Sequence, residues 1–341
     1  MSTLQLQLRS LRARKLPSTT TVILIFAALL IFSYVTNPDP GSFAITVFQG
    51  LFRGMLLFLV AAGLSIIFGL MDVLNFAQGT YFMLGAYVAY SVHHSPQFNA
   101  AIPDPNLRFL TSVLIATGVG AILGAILERF LLRPLYSRPI FQIVLTFGVS
   151  IVLTEAIRAI WSTVPYSWTN LFSFREGSFL LFDQPFSTYR LFVIAIGALL
   201  IVVIALLLRR TRLGLIIRAG VEDSLMVEAL GINVRMVFTL VFMLGCAMAA
   251  FGGAIAAPFL GATIGMGNQY LLWAIAVVVI GGMGSYEGTA VGSLIVSLAM
   301  SVVGKFSQQF LNQPVWEILT PMVLLMLVLL AKPSGLFGKE N

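Results

Sequence analysis

Carboxylates set in apolar runs can carry protons or hold cations, and Asp72, Glu128, Glu155, Glu287 and Glu317 lie within or beside such runs. A proton- or sodium-coupled carrier would hold unpaired carboxylates near the middle of a span. None stands out. Glu155 and Arg158 are three apart, share a helix face and can neutralise one another near a span end. His93 and His94 are adjacent, so on a helix they point different ways, and a solvated turn is expected there rather than a metal site. The single cysteine, Cys246, lies in an apolar run, which excludes an intrachain disulfide and makes a thiol metal cluster implausible. The tail Gly335-Leu336-Phe337-Gly338-Lys339-Glu340 has glycine and lysine, but not at the spacing of a phosphate-binding loop. The expectation is no catalytic residue, no metal and no cofactor. If ATP drives this chain, another chain binds it.

The polar groups that remain sit at two tight joins between apolar runs. The first, residues 68–80, carries Asn75, Gln78 and Gly79; the second, residues 280–289, carries Gly281, Gly282 and Ser285. Glycine and amide or hydroxyl side chains that interrupt apolar runs fit discontinuous helices, whose freed backbone groups can line a polar route. These six residues are the expected translocation pathway. The competing reading for each glycine is close helix packing, as expected for Gly120 and Gly124, spaced four apart. Both joins share a Gly-x-Met-x pattern, a match too short to establish a repeat.

Between two long apolar runs, residues 209–235 begin with Arg209-Arg210-Thr211-Arg212 and then form an acidic-apolar stretch, 221–230, closed by Gly231. A helix of two or three turns is marginal alone, because nucleation is costly and few bonds repay it. Such a helix is expected to be docked, as a knob that another protein grips.

These features need a scaffold, and composition defines it. Apolar residues make up 59% of the 341 and charged residues only 10%, a surface no water-soluble domain can present. A span needs about 20 apolar residues, which gives ten candidates: about 20–36, 43–70, 73–92, 109–131, 139–161, 189–208, 237–257, 270–284, 288–304 and 315–331. The joins between 43–70 and 73–92 and between 270–284 and 288–304 are each either a tight hairpin or a broken helix. The first run resembles a signal peptide but is long and lacks a small-x-small cleavage site, so an uncleaved span is expected. An even count with both termini inside places the basic residues of the N-terminal arm (1–19), of 129–138, of 209–235 and of the tail on the cytoplasmic side. The basic excess therefore reflects membrane orientation rather than nucleic-acid binding. Residues 162–188 become the longest extracytoplasmic loop; its Trp161, Trp168 and phenylalanines read either as an interfacial aromatic belt or as a docking surface. The fold class is all-α: a polytopic helical bundle, 20–338, with some broken or re-entrant helices.

In this setting the motifs are those of a family. The chain resembles the permease subunits of high-affinity branched-chain amino acid ABC transporters, of the type with an Asn-Phe-Ala-His/Gln-Gly signature. The matching pieces are Leu74-Asn75-Phe76-Ala77-Gln78-Gly79, Met83-Leu84-Gly85-Ala86-Tyr87 and Arg133-Pro134-Leu135. They continue with Arg218-Ala219-Gly220-Val221-Glu222-Asp223, Ala229-Leu230-Gly231-Ile232-Asn233, Gly281-Gly282-Met283-Gly284-Ser285 and Pro333-Ser334-Gly335-Leu336-Phe337-Gly338. They occur in order over about 45–338, and Gln78 stands where many relatives carry His. The resemblance implies a permease in a bacterial inner membrane, working with a second similar permease, two ATP-binding subunits and an extracytoplasmic solute-binding protein. It implies that 221–231 is the coupling helix, with Glu222, Asp223 and Glu228 making polar contacts to the ATP-binding subunit and Ala229, Leu230 and Gly231 fitting close against it. The cargo it implies is a branched-chain or other amino acid, with urea or a short amide as the alternative. From the residues alone, a stand-alone secondary transporter and a non-transporting scaffold stay open.

Overall fold

The computed structural model describes residues 18–36, 38–168, 177–181, 184–222 and 224–338. Most of the N-terminal arm thus lies outside the described residues. Every one of the ten apolar segments is a helix. In chain order these are α1 (Ser18–Thr36), α2 (Pro40–Met71), α3 (Gln78–His94), a short α4 (Pro96–Ala101), α5 (Pro105–Ile126) and α6 (Pro139–Trp161). After a two-stranded hairpin, β1 (Ser178–Leu181) and β2 (Gln184–Ser187), come α7 (Thr188–Arg210), α8 (Arg212–Glu222) and α9 (Ser224–Ala229). The last four are α10 (Val234–Leu260), α11 (Met266–Gly281), α12 (Tyr286–Phe306) and α13 (Val315–Ala331).

Proline at the first turn starts α2, α5 and α6, where the missing N–H costs nothing, and Asp39 and Asp104 cap α2 and α5 by accepting from the amides of Ser42 and Asn106. Among the described residues, seven helices are long and apolar enough to cross a membrane: α1, α2, α5 with its C-terminal extension, α6, α7, α10 and α12 with its extension. Of the ten expected spans the remaining three are shorter: α3, α11 and α13 have only 17, 16 and 17 residues. At 1.5 Å per residue they reach about 25 Å, short of a full hydrocarbon crossing.

Two of these short helices begin inside the protein, and that shapes everything else. The chain leaves α2 through Asp72, which takes the left-handed conformation (φ 54°), and turns back along α2. Gln78, the first residue of α3, lies beside Val60 and Gly63, so the segment climbs about 12 Å from the end of α2 before helix resumes. The first join is a broken helix, not a tight hairpin. α11 likewise starts deep. Its Gly267 meets Met83 of α3, which is packed level with Gly253, seven residues before the end of α10. α3 and α11 run in opposite directions and touch where Gly79 faces Gly267, a contact whose ring-on-ring neighbour is Phe82 on Tyr270 at 4.3 Å between centroids.

The core lies among α2, α3, α10, α11 and α12, with Phe82, Tyr81, Phe242 and Val277 fully enclosed. α2 and α10 are mostly buried, whereas α1, α6 and α7 turn apolar residues such as Ile31, Phe147 and Leu199 outward, as helices facing lipid or another membrane subunit do. Small residues let the inner helices approach: a Cβ on Gly120 or Gly124 of α5 would press on Ala250 or on Cys246 (2.7 Å) of α10, as their spacing predicts.

Two expectations for the end of the bundle nearest residue 166 change. His93 is fully buried against Trp168 (4.8 Å between rings), and α3 runs through His94, so there is no solvated turn. Trp168 is itself buried among His93, His94, Tyr90 and Phe109, rather than standing in an interfacial belt. The loop around it also holds the β1–β2 hairpin, which pins Phe186 on Phe48 of α2.

Gly253→Val should be costly, because its Cβ would run into the Phe82 carbonyl and the Ala86 amide. The expected loss is about 3 kcal/mol or more, read as a lower thermal midpoint of the detergent-purified chain. Gly118→Val, with nothing near its Cβ, should leave that midpoint unchanged; equal effects of the two would contradict this packing.

Candidate functional site: a buried amide knot and an exposed lever

Asn75 and Gln78 belong to one hydrogen-bonded knot where α3 begins. The Gln78 amide donates to the carbonyls of Gly245 on α10 (2.9 Å) and Val60 on α2 (3.3 Å). Its oxygen accepts from Asn75 (3.2 Å), whose own oxygen accepts from the Ala77 amide (3.1 Å). Both side chains are fully buried. The re-entrant segment is also tied to α6, through Thr146 donating to the Leu74 carbonyl (3.2 Å) and a Thr80–Ser150 hydroxyl pair (2.7 Å). Interrupted helix exposes amides and carbonyls that lipid cannot satisfy, and here the Asn75 oxygen and the Thr146 hydroxyl meet two of them, the Ala77 amide and the Leu74 carbonyl. Gly79 completes the knot by allowing the contact with Gly267.

Gly281, Gly282 and Ser285 form a separate joint, level with Gly69 at the far end of α2, where a Cβ on Gly69 would press on the Gly284 backbone (3.1 Å). Gly281 packs on Gly288, Gly282 has φ 108°, and Ser285 caps α12 by accepting from the Gly288 amide (3.0 Å). The C-terminal tail seals this joint. The amides of Leu336 and Phe337 donate to the carbonyls of Ile280 (2.9 Å) and Gly281 (3.0 Å), completing the end of α11. The structure therefore brings Asn75, Gln78 and Gly79 together and holds the other three in a second cluster.

The acidic-apolar segment is helical on both sides of Asp223, and the helix begins at Arg212, earlier than the 221–230 read from the sequence. α8 starts at Arg212 and runs to Glu222; α9 then covers Ser224–Ala229. Asp223 lies outside the described residues, as does the side chain of Glu222. Ile217 of α8 is buried with Leu70 at the end of α2 and with Val237 and Val241 of α10. α9 buries Val227 and exposes Met226, Glu228, Ala229 and Leu230, with Leu230 at 73%. Gly231 (φ 81°) ends it, as its amide donates to Glu228 and that of Ile232 to Val227, the left-handed stop that glycine permits. The result is a projection with two largely exposed apolar side chains, Met226 and Leu230, one turn apart.

The carboxylates weighed as ion-coupling groups are mostly engaged. Arg158 holds Glu155 (2.8 Å), Arg209 pairs with Glu287, and Arg53 of α2 pairs with Glu317 of α13. Buried Glu128 accepts from Tyr136 and Thr239 beside Arg133, and burial together with that bond raises the Tyr136 hydroxyl pKa above its usual value. The Arg53–Glu317 pair escaped sequence reasoning. Its only signal was an arginine inside an apolar run, with nothing to indicate a partner 264 positions away.

Residues 46–331 match the family described as branched-chain amino acid transport system / permease component. The chain belongs to that family. The permease is a multi-pass membrane protein and the permease component of such a transport system; in bacteria its place is the inner membrane. It is similar to the high-affinity branched-chain amino acid transport system permease LivH of Salmonella typhimurium, 28% identical over 308 residues, covering 86% of this chain and 95% of the relative. BraD of Pseudomonas aeruginosa is equally similar, at 28% over 304 residues with the same coverage. A tyrosine transport system permease of Clostridioides difficile is 27% identical over 232 residues, covering 67% of this chain and 70% of the relative.

Replacing Gln78 with Leu in the permease removes donors from two buried carbonyls and strands Asn75. The expected cost is about 1–3 kcal/mol, seen as a lowered unfolding midpoint in detergent. A midpoint equal to wild type would show that the knot does not hold α2, α3 and α10 together.

Proposed function

We propose that this permease is the membrane subunit of an ABC importer for amino acids, most specifically branched-chain ones. The observation that carries this reading is the family match over residues 46–331, reinforced by LivH and BraD, which align along nearly their whole length. The relative named for tyrosine keeps other amino acids within the cargo class.

In this reading two ATP-binding subunits, a second homologous permease and an extracytoplasmic solute-binding protein complete the transporter. The basic end carrying α8 and α9 faces the cytoplasm with both termini, as the positive charges favour. Residues 221–231 are the lever that an ATP-binding subunit grips. Leu230, exposed beside the similarly exposed Met226, supports that role. Ala229 and Gly231 allow close approach, and Glu222, Asp223 and Glu228 supply polar contacts. Closure of the ATPases moves α8, and Ile217 passes the movement to Leu70 and so to the re-entrant segment behind it. Asn75, Gln78 and Gly79 are then the closed section of the route, and Gly281, Gly282 and Ser285 the joint at its cytoplasmic end.

The test is uptake of radiolabelled leucine by cells carrying the complete system, with and without this chain. Uptake should depend on the chain and on ATP; no dependence on the chain would refute the assignment. Replacing Glu222 and Asp223 together by lysine should abolish uptake at normal membrane abundance while ATPase activity persists. Wild-type uptake in that double variant would remove the lever from the mechanism.

A further inference from the structure

Because α11 begins deep, a space is left above it at the end of the bundle away from α8 and α9. It is a cavity of about 360 Å³, near the lower end of the roughly 300–1,000 Å³ of small-molecule sites. Its wall is mostly apolar, with Phe52 of α2, Phe259 of α10 and Met266 and Tyr270 of α11, but Arg53 and Glu317 also line it. These two are ion-paired with each other, and each keeps somewhat over a quarter of its side-chain surface exposed (29% and 28%). Next to the cavity the Arg190 guanidinium lies over the rings of Phe259 (5.0 Å) and Phe52 (5.9 Å), and its Nε–H has no hydrogen-bond partner among the described residues. A small apolar chamber thus carries one carboxylate and one guanidinium in its wall, with a second guanidinium beside it.

We propose that this cavity receives the free amino acid as a zwitterion, by exchange with the Arg53–Glu317 pair. The inference rests on the importer reading above. A zwitterion carries the same two charges as the pair it separates. Arg53 takes the solute carboxylate and Glu317 its ammonium, so the exchange leaves no charge unpaired in a poorly hydrated place, where an orphaned ion is costly. Arg190 adds positive potential on the carboxylate side. The aliphatic side chain of the solute lies against Phe52, Met266 and Tyr270, which selects apolar amino acids over polar ones. A solute lacking either charge leaves Arg53 or Glu317 without a partner, which sets zwitterions apart from simple amines and acids.

The decisive variant is the neutral pair Arg53→Met with Glu317→Gln, assayed for leucine uptake in cells with the whole transporter. A purely structural ion pair can be replaced by neutral residues at little cost, so a structural role predicts uptake within about twofold of wild type, and that result overturns the proposal. The receiving role predicts a half-saturation concentration raised about tenfold or more at unchanged membrane abundance. If the variant does not accumulate, Thr263→Cys, placed in the cavity wall, answers instead, since the native Cys246 is fully buried. Its alkylation by a membrane-impermeant maleimide should be slowed by leucine but not by isoamylamine or isocaproate, which lack the carboxylate and the ammonium. A rate unaffected by leucine, or slowed equally by all three, overturns the proposal. Wild-type leucine uptake is measured in the same cells. Its absence would fell the importer reading together with this one, whereas normal uptake with an insensitive neutral pair would fell the cavity assignment alone.

Discussion

A peptide group in hydrocarbon has no water to bond, so any break in a membrane helix must be satisfied by protein. This permease breaks its helices twice within the bundle, before α3 and before α11, and the rest of its architecture follows from that. At the first break the Asn75 oxygen and the Thr146 hydroxyl stand in for solvent, and Gln78 ties the restarted helix to α2 and α10. The two interrupted helices can cross only because Gly79 and Gly267 bring backbone against backbone. Short helices that start inside the body also leave unfilled space beyond their ends, which is how a chain with so few charges comes to hold a partly polar chamber.

The same breaks set out a mechanical order. α8 is seated on the last turn of α2 by Ile217 and Leu70, and the next six residues are the re-entrant segment that ends in the knot. α8 therefore touches α2 one residue before its end, where the re-entrant segment begins, and through the same cluster it also meets Val237 and Val241 of α10. Under the importer reading this places the lever and the closed section of the route on the same short path. The opposite chamber, with Arg53 and Glu317, connects to that path through α2, which carries both Arg53 and Leu70.

Much of this was legible in the sequence, for reasons that differ by element. The ten apolar segments were plain because lipid imposes a composition that nothing else requires. Gly120 and Gly124 were readable as packing residues because a four-residue spacing fixes one helix face. Asn75 and Gln78 stood out as amides in an apolar run, but their partners, the carbonyls of Val60 and Gly245, carry no sequence mark. The depth at which α3 and α11 start was not readable either, since hydropathy reports that a segment is apolar and not where it begins. His93 was misread because a histidine at a helix end is usually solvated, and only the packing of Trp168 over it buries it. That the helix begins at Arg212 was obscured by the acidic residues at 222 and 223, which suggest a helix start ten positions later.

The tail bonds at Leu336 and Phe337 have an implication for biogenesis. The carbonyls of Ile280 and Gly281 wait, during synthesis, for amides more than fifty positions downstream. α11 therefore stays incompletely sealed until every later helix has been threaded into the bilayer. A chain cut short at α13 would leave those two carbonyls without the amides of Leu336 and Phe337, so the tail belongs to the end of α11 rather than hanging from it.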